Sequence, residues 1–312
     1  MRSSKEHGSA LLTVLWLTAA LAATGIAVAN NVRGETERAA TGVDDLKAYF
    51  VARGAVERAA LYYMWGPDFY VHGLPSMELP FPSGDVHVDM IPESSKLGLN
   101  GSQPDDLFRL LAALGVPGER VPEIVGAILD WRTPDPLHQS PFDAFYLTRT
   151  PSFLSPHTSF LEDEELLQVK GITPDLYYGS SLDHAHAGLR DCVSVYSSNG
   201  AVDINTAQPA TLLAIGLAAP DVAAIVKRRA ERPFFDPQQI AAVTQSLGPA
   251  GARLTLGGQT IYTIRATARL RQPGGKLSDL RRTVAAIVKF NMPGNPQHKA
   301  VGFEVLRWFD RA

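Results

Sequence analysis

The chain has 312 residues, 45% of them hydrophobic and 20% charged, with a formal net charge of -3. That length and balance suit one large or two modest folded domains, and a charge so near zero gives no general attraction to nucleic acid or anionic lipid. The lone cysteine, Cys192, excludes an intramolecular disulfide and is expected to be a small buried hydrophobe.

Met1 to Gly8 form a polar leader (1–8) in which Arg2 and Lys5 outweigh Glu6, a balance that favours a cytoplasmic N-terminus. From Ser9 to Val32 no side chain is charged, and about 24 apolar residues suffice to cross a hydrocarbon core roughly 30 Å thick. Residues 9–32 are therefore predicted to be a transmembrane helix. A secretory signal cut at Ala27-Val28-Ala29 is the competing reading, although its apolar region would be shorter. Beyond the span, Ala48, Val51, Ala55, Ala59 and Tyr62 recur at spacings of three and four, which lays them on one helical face. The helix is predicted to continue over 33–65 until Gly66-Pro67 stops it.

In the next segment, 66–99, Asp85-Val86-His87-Val88-Asp89-Met90 alternates as a half-buried strand does, and Ile91-Pro92 closes it. Residues 100–254 change character. Leu107-Phe108-Leu110-Leu111 and Val121-Ile124-Val125-Ile128-Leu129 have helical spacing around the connector Leu114-Gly115-Val116-Pro117-Gly118. The plan recurs at Glu164 to Pro174 and again from Thr211-Leu212 through Gly216 to Val226, as short helical hairpins too degenerate for a solenoid. The final segment, 255–312, holds two strands, 261–268 and 282–290, joined across Gln272-Pro273-Gly274-Gly275, and a last strand from Val301 to Trp308. The order is helix, strand, helical insert, strands: an α+β chain.

Three groups of residues invite a chemical reading. Asn205-Thr206-Ala207, the turn at Ile215-Gly216-Leu217 and Lys227-Arg228-Arg229 resemble a helix-hairpin-helix in the 201–247 region, which in DNA-binding versions turns backbone N–H groups toward phosphate. Here the second hairpin glycine is missing and Pro220 removes a donor, so a structural hairpin is expected and no nucleic acid partner. Asp183-His184-Ala185-His186 has zinc-ligand residue types, but its polar setting reads as a solvated loop. The sequence has no Gly-x-Ser-x-Gly, no His-Glu-x-x-His and no Gly-x-x-x-x-Gly-Lys, so no enzyme is expected. A membrane-anchored DNA-binding protein and an anchored periplasmic hydrolase are the alternatives.

Lys5-Glu6-His7-Gly8 followed by Ser9-Ala10-Leu11-Leu12-Thr13-Val14-Leu15 resembles a type IV prepilin-type leader and its cleavage junction. Three internal phrases, Ile128 to Pro136, Asp163 to Thr173, and Val202 to Ala207, look like signatures of one family. By their order and spacing the chain resembles a minor pseudopilin of the type II secretion system, K class, the general secretion pathway protein K family.

The resemblance implies a long N-terminal helix and a small antiparallel sheet interrupted by a large helical domain. It also implies cleavage between Gly8 and Ser9 by the prepilin peptidase, with the apolar segment retained. Most pilins carry glutamate at the fifth mature position; Thr13 stands there, as in the K class. The partners implied are the I- and J-class minor pseudopilins, the major pseudopilin and the inner membrane, with the head periplasmic. Structural calcium in the helical domain is implied as well, with Asp130, Asp135 and Asp143 as candidate ligands. Where the family has a Gly-Ala-Glu-Asp-like run, this chain has Ser140-Pro141-Phe142-Asp143-Ala144-Phe145-Tyr146, a thinner supply of acids.

Overall fold

The computed structural model describes residues 7–136, 140–179, 187–197, 200–257, 260–291 and 302–310. The leader residues 1–6 and the Asp183-His184-Ala185-His186 motif lie outside them. The elements are α1 (His7–Trp65), β1 (Ser76–Phe81), β2 (Gly84–Pro92), β3 (Leu97–Gly98), α2 (Pro104–Ala113), α3 (Val121–Arg132), α4 (Asp143–Leu147), α5 (Pro174–Tyr178), α6 (Leu189–Cys192), β4 (Val193–Ser194), β5 (Val202–Asp203), α7 (Pro209–Ala214), α8 (Ala219–Glu231), α9 (Pro237–Ser246), α10 (Gly248–Gly251), β6 (Leu254–Thr255), β7 (Ile261–Leu270), β8 (Arg282–Asn291) and β9 (Gly302–Phe309).

The head is a five-stranded antiparallel sheet in the order β1-β2-β7-β8-β9, with the C-terminal half of α1 on one face. Strand alternation decides which residues meet the helix. Val86, Val88 and Met90 from β2, Ile264, Ala266 and Ala268 from β7, and Val284, Ala286 and Val288 from β8 join Ala52, Ala55, Val56, Ala59 and Ala60 of α1 in one core. The alanines let the helix lie close on the sheet; Tyr63 closes the top, its ring stacked on Phe290 at 4.0 Å. The buried stripe is centred on Ala52 and Ala55, so Val51 and Tyr62, predicted within it, lie on its flanks. Tyr62 instead receives hydrogen bonds from Arg58.

Strand β1 is one of the first strands expected within 66–99, but its position could not be read. Its sequence, Ser76-Met77-Glu78-Leu79-Pro80-Phe81, buries only Leu79 fully, and an edge strand with proline gives little alternation to read. The insert leaves the sheet after β2 and returns at β7, which are hydrogen-bonded neighbours. It has its own core, in which α2 packs on both α3 and α7. Three hairpins turn at Gly115, Gly171 and Gly216, with φ of 81°, 88° and 98°, a left-handed conformation that strongly favours glycine. The segment Asp163–Gln168 before Gly171 is a 3-10 helix rather than the predicted α-helix. The 2-residue parallel pairs β3–β4 and β5–β6, unpredicted, stitch the insert's two ends to its middle.

Candidate functional site

Two features of the fold stand out, one exposed surface and one buried joint. The surface is α1. Among the described residues it is the one helix long and apolar enough to cross a membrane, and Leu11, Leu12, Val14, Leu15, Leu17 and Leu21 are exposed along it. Gly8, Ser9 and Thr13 all lie within α1, so the predicted cleavage junction sits at the start of a continuous helix.

The second element is the joint between insert and head, built largely by the Val202 to Ala207 phrase. Asn205, 6% exposed, donates through Nδ2 to the Gly73 carbonyl at 2.7 Å and to the Phe234 carbonyl at 2.6 Å, and accepts from the Phe234 N–H at 2.8 Å. Asp203, buried two residues earlier, accepts from the Thr206 N–H at 2.9 Å and the Gly257 N–H at 2.7 Å. Burial raises its carboxyl above the usual range, against those hydrogen bonds, which lower it. Across the joint, Glu93 follows β2, accepts from Thr263 Oγ1 at 2.5 Å and pairs with Lys96 at 3.2 Å. Asp163 faces this group; burial pushes its carboxyl up to about 7, although Lys96 and the Val195 N–H, at 2.7 Å, pull it down.

The Asp130-Trp131-Arg132 phrase is also structural. The Trp131 ring stacks on Phe160 at 6.0 Å, and its Nε1 donates to Glu165 Oε2 at 3.2 Å. Arg132 donates to the Leu99 and Ser102 carbonyls, both at 2.6 Å. Two of the three predicted calcium ligands come together: Asp130 Oδ2 lies 3.9 Å from His157 Nδ1, and Asp143 Oδ1 lies 3.5 Å from His157 Nε2. Ser140 Oγ donates to Asp130 at 2.9 Å. His157, held at φ 45°, thus stands between the two carboxylates. Calcium takes six to eight oxygen ligands. Among the described residues no group of three or more His, Cys, Asp or Glu is placed to hold a metal ion. Asp143 Oδ1 is buried and accepts no hydrogen bond, so Asp130 and Asp143 would be the carboxylates to hold a calcium ion here, with the remaining oxygens supplied by carbonyls or water.

The basic triplet of the hairpin is partly used inside the fold. Arg229 Nη1 donates to the Ile204 carbonyl at 2.9 Å, and the Arg228 guanidinium lies 5.6 Å from the Phe234 ring centroid. The Gly216 and Leu217 N–H groups bond back to the Leu213 and Leu212 carbonyls, so these two donors are not directed outward. Cys192 is buried, and desolvation pushes its thiol up to about 12, which makes it inert. Sequence reasoning missed His157 and Glu93. A histidine in Ser155-Pro156-His157-Thr158 carries no periodic signal, and a buried glutamate directly after a strand reads as a surface turn.

A continuous apolar helix on an antiparallel sheet, with a helical domain inserted between neighbouring strands, defines a pseudopilin-like chain with an enlarged head. Residues 98–179 match the family model of Type II secretion system (T2SS), protein K. The fold is shared with a chain in the crystal structure of the GspK-GspI-GspJ complex from the enterotoxigenic Escherichia coli Type 2 Secretion System, with a TM-score of 0.53 and 17% identity over 87% of this chain and 98% of that one. No curated protein matches the chain. The family model matches that part of the insert and the structural likeness shows the fold, so in both respects the chain is similar to protein K of the type II secretion system.

Proposed function

We propose that this chain is the tip subunit of the pseudopilus, starting or capping its assembly and so supporting protein export across the outer membrane. The observation that carries the reading is Thr13, on the exposed apolar part of α1. A carboxylate in the bilayer is costly unless it meets a cation, and the resemblance supplies one only from the N-terminal amine of a subunit already in place. A first subunit has no such neighbour, and Thr13 needs none. The insert adds bulk to the head, which suits a subunit with nothing stacked above it.

In this reading the leader is cut after Gly8 by the prepilin peptidase, and sequencing the mature chain returns Ser9 as its first residue. The N-terminus stays cytoplasmic and the head is periplasmic. The exposed apolar face of α1 packs against the helices of I- and J-class partners, whose relatives GspI and GspJ are named with GspK in the solved complex, and the major pseudopilin adds beneath. Small residues such as Ala19, Ala20, Ala22, Ala23 and Gly25 suit close helix contact in a membrane.

The test is Thr13→Glu in cells lacking the native protein. At the tip the new carboxylate finds no amine and costs roughly 2.5 to 3.5 kcal/mol on insertion, so membrane level and export of a secreted enzyme both fall. Full export at a normal level would place the chain inside the filament.

A further inference from the structure

The face of the head sheet away from α1 meets the insert across a cleft of about 300 Å³. Because Ile264 and Ala266 point at the helix, alternation turns Thr263 and Arg265 to this opposite face. Phe309 of β9 shares the cleft, and the insert contributes Tyr177, Tyr178 and Tyr196.

The ionised groups around the cleft are almost all answered locally. Lys96 pairs with Glu93, and Arg307 pairs with Glu162 and with Glu164, the latter at 2.9 Å. Asp163 accepts from the Val195 N–H. Asp191 accepts from the Gly188 N–H at 3.1 Å and lies 3.9 Å from Arg190, whose guanidinium sits 5.4 Å from the Tyr178 ring centroid. Arg265 differs. Its Nε is sealed from solvent with no hydrogen-bond partner, and among the described residues no ion pair or hydrogen bond engages the rest of its guanidinium. Asp89, across the β2–β7 ladder from it, is engaged by His87 Nε2 at 3.2 Å, so the half-buried Arg265 guanidinium has no ion-pair partner among the described residues in a cleft lined also by three tyrosines and a phenylalanine. Such a group suits a carboxylate, which it can hold by two parallel hydrogen bonds. The surrounding Glu162, Asp163 and Glu164 disfavour a dianion such as phosphate.

We propose that this cleft binds a carboxylate-bearing peptide, with the acid on Arg265 and an adjoining aromatic side chain among Tyr177, Tyr178 and Phe309. The occupant is a segment of another polypeptide, and the site is independent of where the chain sits in a filament.

The experiment uses the full chain in detergent and measures binding of three probes by calorimetry: acetyl-Phe-Asp-amide, its neutral counterpart acetyl-Phe-Asn-amide, and N-acetylphenylalanine. The expected result is binding of an acidic probe about tenfold tighter than the Asn peptide, as one charge-assisted pair allows. Preference for acetyl-Phe-Asp-amide marks an internal acid, and preference for N-acetylphenylalanine marks a chain end. Arg265→Gln should abolish the preference with the melting temperature kept, because no bond of the fold is lost. Tyr178→Ala, at an exposed ring, should weaken all three probes. Equal binding of acidic and neutral probes, no binding at all, a preference retained in Arg265→Gln, or a Tyr178→Ala protein that binds as before would each overturn the proposal.

Discussion

In the head one helix lies on one sheet, and the contact is made by small residues at regular spacing: Ala52, Ala55, Ala59 and Ala60 against Val86, Ile264, Ala266 and Val284. In the insert short helices gather around large rings, Trp131, Tyr146 and Phe160, and are held by side-chain bonds to backbone such as Arg132 to the Leu99 carbonyl. The two cores form separate clusters, linked by polar joints at Asn205 and Glu93. A periodic interface tolerates little added volume, whereas a core built round a few rings depends on each of them.

That contrast is sharpest in a pair of substitutions. Trp131→Ala removes a buried ring, and should cost about 3 to 5 kcal/mol. Hydrogen exchange should rise across residues 98–257 while β2, β7 and β8 keep their protection; loss of protection throughout would mean the cores are not separable. Ala59→Leu forces volume between α1 and the sheet and should cost about 1 to 3 kcal/mol, with the faster exchange now in the head and the insert unchanged.

A smaller effect tests the joint. The Asp163 carboxyl is pushed up to about 7 in the folded chain, above its value near 4 in the unfolded one. The folded state therefore keeps a proton that the unfolded state has lost over that window. Its stabilisation is complete below about pH 4 and is lost as pH rises toward about 7. Denaturant melts at pH 5 and pH 7.5 should differ by about 1 to 2 kcal/mol, allowing for solvent at this half-buried group, and Asp163→Asn should flatten the difference. An unchanged slope in that variant would assign the pH dependence elsewhere.

The same contrast explains what was legible in sequence. The long apolar helix, its end at Trp65, and strands β2, β7, β8 and β9 follow from period and punctuation, because a regular surface leaves a regular trace. Gly115 and Gly216 were readable as hairpin turns because the flanking leucines and valines repeat. The joints were not readable. Asn205 looks like part of a helix-hairpin-helix, and only the fold brings Gly73 and Phe234 to its amide. His157 meets Asp130 and Asp143 through tertiary contact alone, so its place between them leaves no trace in the sequence. Arg265 sits in a strand whose alternation was clear, yet its lack of a partner among the described residues shows only in the fold.

The central claim is a position, one subunit at one end of a filament. It is tested most directly by tagging the C-terminus, shearing pseudopili from cells that secrete normally, and locating the tag with gold-labelled antibody. The account predicts label at a single end of each filament. Label spaced along the filament length would contradict it.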